Sequence, residues 1–185
     1  DPAGVGSDDW AVVATGGVFE GWSGAHAGAA STTLTLDPNT PTSLTAEFAP
    51  SPFTGGFTAS SISWGSIYDS LWLQTRWMDA SDNGDTVVLS GPITWHGVGS
   101  DDDYEGAIDS ITLQVRDGDI IDAEVDGYQD TIFTYDGTSI RSQINTVHGV
   151  EFDHDTQVLT MQVGGPGASG AWVHEIALRA EPAAV

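Results

Sequence analysis

The sequence contains no cysteine and no lysine. The first absence excludes disulfides and thiolate metal sites and leaves the redox compartment unread. The second leaves Arg76, Arg116, Arg141 and Arg179 as the only permanent cations, against 27 acidic residues, for a formal charge of -23. Binding to phosphates needs clustered Lys or Arg, so nucleic acid is excluded as a direct partner, and an anionic membrane surface with it. No apolar run approaches the roughly 18 residues of a membrane-spanning helix, so no transmembrane segment is expected. Methionine occurs only at Met78 and Met161, and a chain beginning at Asp1 is read as processed or as lacking its true start.

What is present is acid, spread along the whole chain. Seven of the 27 acidic residues are glutamate, which leaves 20 aspartates. Such a charge repels itself in a compact chain unless something screens or neutralises it. Salt does so by cutting the Debye length from about 10 Å at 0.1 M to about 3 Å at 1 M. Divalent cations do so locally. Acid without lysine, distributed rather than clustered, points to adaptation to brine. Disorder, the usual alternative for an acidic chain, does not fit a sequence that is 39% hydrophobic with seven tryptophans.

The remaining pattern is β. Thr32–Leu36, Ser110–Val115, Thr131–Tyr135 and Gln157–Val163 are rich in β-branched and aromatic residues and bounded by Gly, Asp, Asn and Pro. Asp-Gly at 117–118 and 136–137, and Asn83-Gly84, supply the positive φ that tight hairpins require. In "WVHEIAL", Trp172, His174, Ile176 and Leu178 alternate with Val173, Glu175 and Ala177. No segment sustains helical spacing. The expectation is one all-β domain over 1–185, a β-sandwich with jelly-roll winding first among its forms.

"YDSLWLQTRWM" reads as a single strand that is apolar on both sides. Leu71, Leu73 and Trp77 point one way; Tyr68, Trp72, Arg76 and Met78 point the other. A strand like this lies under loops or under a partner. The second reading makes Trp72, Arg76 and Trp77 an interface or a platform for a ligand ring.

Candidate chemistry is sparse. "GSDDDYEG" places Asp101, Asp103, Glu105 and Asp109 at the spacing of the first half of a calcium loop, without its closing Glu. The primary reading is a hydrated loop; structural Ca²⁺ or Mg²⁺ on those four carboxylates is the alternative. Asp79, Ser81, Asn83 and Asp85 repeat the pattern, again unclosed. His148 and His154 lack zinc-enzyme spacing, and His154 reads as a turn residue. "GWSGA" and "GASGA" miss the nucleophile elbow and its α/β context, and "GGPGASG" (164–170) reads as a loop. Glycoside hydrolysis is the one enzyme class worth testing, with Glu124, Glu151 and Glu175 as carboxyls on or beside strands. The expectation is no enzyme and no catalytic residue.

The absence of Lys and Cys, the Asp-rich turns ("GSDDDYEG", "RDGDIID", "EFDHD") and the run of short strands resemble the smaller major capsid protein of halophilic archaeal icosahedral viruses that enclose a membrane. The resemblance implies a single jelly roll in the virion that pairs with a larger sister capsid protein and with its own copies to form capsomers. No site residue is carried over, because no residue motif is shared. The alternative is a secreted carbohydrate-binding module of a halophile, stacking sugars on Trp72, Trp77 or Trp95, with the Asp101–Asp109 loop as its candidate calcium site.

Overall fold

The structure, a computed structural model, describes residues 10–13, 19–36, 43–48, 53, 55–64, 69–116, 118–165 and 173–181. Every regular element among them is a strand: β1 Trp10–Val13, β2 Phe19–Gly24, β3 Thr33–Leu36, β4 Leu44–Phe48, β5 Gly56–Trp64, β6 Ser70–Thr75, β7 Trp77–Asp82, β8 Thr86–Val98, β9 Asp102–Arg116, β10 Asp119–Phe133, β11 Ser139–Ile144, β12 Thr146–Asp153, β13 Val158–Gly164 and β14 Val173–Glu181. The all-β expectation holds. Tyr68, Trp172 and most of the 164–170 glycine stretch lie outside the described residues.

Two compact units make up the chain, Asp1–Ser51 and Pro52–Val185. In the first, β1 pairs with β3 and β2 with β4, both antiparallel. Its anchor is Trp22, buried, with its indole N–H donated to the Ser31 carbonyl at 2.7 Å.

The second unit is one antiparallel ladder in the order β11-β10-β9-β8-β7-β5-β14-β13-β12, with β6 also paired to β8. It consists of two meanders, β7 to β11 and β12 to β14, joined through β5. Gly84, Gly118 and Gly137 take φ of 90°, 83° and 73° at the expected hairpins. The ends of the ladder, β11 and β12, are separated in sequence by Asn145 alone, and β10 lies against β12. The sheet therefore folds over itself and encloses a core between its two halves, the arrangement of a β-sandwich. Jelly-roll winding is not confirmed by this order, in which ladder neighbours are mostly sequence neighbours.

Alternation along the strands decides what is enclosed. Val87, Leu89, Ile93 and Trp95 of β8, Ile108, Ile111 and Leu113 of β9, Leu159, Met161 and Val163 of β13, and Ile176 and Leu178 of β14 are all at most 1% exposed. Burying each large side chain contributes about 1.5–3 kcal/mol before entropic costs. Trp95 occupies the middle. Its indole crosses the strand to lie on Gly106 of β9, where an added Cβ would collide with the ring. Its other neighbour is the buried His174 ring, 4.9 Å away. Gly106 is thus a packing glycine inside a strand, not the turn glycine of a cation loop. Burial also removes Trp95 from the candidate sugar platforms.

The strand expected over "LWLQTRWM" is two strands with a break at Arg76. β6 pairs with Thr94–Val98 of β8, while β7 pairs with Val87–Ser90 and, on its other side, with β5. The partner strand is irregular at the same level, between Ser90 and Ile93, where Gly91 has φ 107°. The break inverts the alternation. Leu71 and Leu73 pack on the core, but beyond Arg76 it is Met78 that is buried and Trp77 that faces out.

Candidate functional site

The four carboxylates of the expected loop are not in one loop. Asp101 sits in the turn before β9, its carbonyl accepting the Thr134 hydroxyl at 2.6 Å. Asp103, Glu105 and Asp109 are in β9 itself. Residues two apart on a strand share a face at roughly 6.8 Å separation, so Asp103 and Glu105 stand side by side rather than converging. Among the described residues, no three His, Asp or Glu side chains come together as a metal cluster. Between them, Tyr104 points inward; burial, then the charges of Asp102 and Asp101, push its phenol pKa up.

Glu105 nevertheless belongs to a site, because of what the register sets beside it. Trp72 is opposite His96, His96 opposite Glu105, Glu105 opposite Asp130, and Asp130 opposite Arg141. These five form a single row across β6, β8, β9, β10 and β11 on the outer face. Trp72 is 46% exposed and meets the His96 ring at 4.8 Å. His96 Nδ1 is 3.7 Å from Glu105 Oε1. Arg141 donates from Nε and Nη2 to the two oxygens of Asp130, at 2.8 Å and 2.6 Å, and its guanidinium lies 3.8 Å from the centre of the Tyr128 ring. That hydrogen-bonded pairing holds the Asp130 carboxyl below its ordinary range. Like charges directly opposite each other are destabilising; His96 on one side and Arg141 on the other flank the Glu105–Asp130 pair.

Trp77 is a second exposed ring, on the outer face of β7 where that strand pairs with β5. Its indole N–H donates to Asp79 Oδ1 at 2.8 Å, and its six-membered ring rests on Gly56 of β5, where an added Cβ would strike it. The ring is 45% exposed. Arg76, expected to share a patch with both tryptophans, is the exposed break between β6 and β7. The three residues do not lie in one register row, because β6 and β7 address different parts of β8.

The three glutamates considered for hydrolysis divide as well. Glu124 is exposed on β10. Glu151 and Glu175 line a shallow depression of about 360 Å³ on β12 to β14, with Gly149, Thr160 and Gln162. They stand diagonally across β13, Glu175 opposite Gln162 and Glu151 opposite Thr160. Two strand spacings and two residues of offset put their Cα atoms roughly 12 Å apart on the same face. They rise from one surface and not from opposing walls of a cleft.

Sequence reasoning missed His96, Tyr128, Asp130, Arg141, Gly56 and Asp79 as members of these sites. Their signal is cross-strand register, which no local window contains. No family model, no curated protein and no solved structure matches this chain.

Proposed function

We propose that the chain is a non-enzymatic structural subunit of a salt-adapted assembly, in the manner of the small capsid protein that its composition resembles, with copies of itself and a related lattice subunit as partners. The observation that supports this is the placement of its exposed apolar side chains. Trp72 marks one end of the outer row, while Tyr135 (78% exposed) and Ile140 (58%) lie at the β10–β11 hairpin, at the other end. Four strand spacings, roughly 19 Å, separate the two places. A subunit of a closed lattice needs a separate surface for each neighbour; a simple binding module needs one. Aromatic residues flanked by charge are the composition of interface anchors, and in brine they hold while surface ion pairs are screened.

The test is mass in solution, by sedimentation and light scattering, from 0.1 M to 3 M NaCl. The expected result is a large species at high salt that dissociates as salt is withdrawn, with Trp72→Ala and Tyr135→Ala each weakening it. A monomer at every salt concentration, alone and mixed with lysate of the source cells, sinks the reading.

A further inference from the structure

Trp77 is held differently from Trp72, and the difference goes beyond the assembly reading. The outer face of β5 offers no side chain at Gly56, and the six-membered ring of Trp77 fills that gap against the backbone. Gly56 is buried as a result, although it is on the outer face. The Asp79 carboxylate fixes the ring's rotation through the indole N–H. The ring is thus held in place while 45% of the residue stays exposed to solvent, before anything binds.

The register brackets that open ring with polar groups. Gly56 is opposite Asp79 on β7 and opposite Glu181 on β14, so a carboxylate stands on each side of the indole. Two strand spacings separate those residues, roughly 10 Å at the backbone, which leaves room for one sugar ring between them. In the adjacent row Trp77 is opposite Thr58, and Thr58 is opposite the exposed Arg179. The floor is aromatic, the acceptors lie on two sides, and a hydroxyl and a guanidinium lie on a third.

We infer that the Trp77 platform, bracketed by Asp79 and Glu181, is a binding subsite for a neutral saccharide ring. The C–H face of a pyranose is apolar and slightly positive, which suits the electron-rich face of the indole. Its rim hydroxyls are donors, and carboxylates are acceptors that strengthen such hydrogen bonds. The two carboxylates select further: at contact distance they repel a sulfate, phosphate or uronate group even where salt screens the net charge, and they leave an uncharged ring unopposed. A preformed ring also spares the ligand the cost of ordering it.

The experiment titrates neutral gluco-, manno- and galacto-oligosaccharides into the intact protein in 2 M NaCl, read by tryptophan fluorescence and by saturation-transfer NMR. One of these series gives a saturable change, and Trp77→Ala weakens it at least about tenfold, or 1.4 kcal/mol. Gly56→Ala, which lifts the ring, and Asp79→Asn weaken it as well, while Glu124→Gln on β10 leaves it unchanged. Thermal melts of each variant establish that it is folded. Sedimentation on the same samples separates this inference from the assembly reading: saccharide binding can fail while the large species persists. No saturable change with any series overturns the subsite. So does undiminished binding by Trp77→Ala, or a Trp77→Ala effect confined to sedimentation.

Discussion

Asp130 and Arg141 face each other across β10 and β11 as a two-point pair, with bonds of 2.8 Å and 2.6 Å and the guanidinium above Tyr128. Both oxygens of the carboxylate are used, and the cation also covers an aromatic ring. In a chain with four arginines, one is committed to this place.

That pair has an acid limb. The arginine hydrogen bonds hold the Asp130 carboxyl below its unfolded value, so its contribution is present above about pH 4 and lost as pH falls through the lower folded value. Arg141→Lys keeps the charge but loses the planar two-point fit. The expected outcome is a lower melting temperature at pH 7 that converges on the parent near pH 2. Parallel melting curves at both pH values contradict it.

His174 has the opposite chemistry and the same direction. Burial holds its pKa well below the ordinary imidazole value. Below about pH 6.5 the unfolded chain takes up a proton that the folded one refuses. Stability is therefore whole above that pH and falls on acidification by up to about 1.4 kcal/mol per pH unit. His174→Phe should flatten the dependence of stability on pH between 6.5 and 5, so that the parent loses ground to the variant as pH falls. Chemical denaturation at three pH values measures it, and an unchanged slope refutes it.

Met78 and Trp77 are neighbours with opposite burial, 0% and 45% exposed. Met78→Ala leaves a cavity in the core and should cost about 2–5 kcal/mol. Trp77→Ala removes the larger side chain yet should cost about 1 kcal/mol or less, as surface positions do. A reversed order in urea unfolding would mean that the alternation does not invert at Arg76.

Asp103 and Glu105 stand side by side on β9, a poor arrangement for sharing one ion. Chelator at constant high salt should leave the melt within about 1 °C of the parent. An ion held at a hundred times its Kd adds about 2.7 kcal/mol, and removing it would lower the melt by roughly 5–10 °C. A drop of that size, abolished in Asp103→Asn/Glu105→Gln, would assign a cation to these carboxylates.

The hairpins were legible in the sequence because their cause is local. Asp-Gly and Asn-Gly favour tight turns, and Gly84, Gly118 and Gly137 all adopt the positive φ required, whereas Asp126-Gly127 runs on inside β10. The inner face of β14 was legible for the same reason: His174, Ile176 and Leu178 alternate in sequence, and all three are fully buried. The phase of "LWLQTRWM" was not, since a break on one strand is set by the irregularity of the strand beside it.

By itself, the sequence determined that this is a β protein with a charged, lysine-free surface, because strand alternation, turn chemistry and net charge are properties of short windows and of sums. Only the tertiary structure decided that Glu105 stands beside His96 and Asp130, that Trp95 lies inside on Gly106, and that Trp77 lies outside on Gly56. Those neighbours are brought together by ladder register between strands distant in the chain, and register is fixed by how the whole sheet closes over its core.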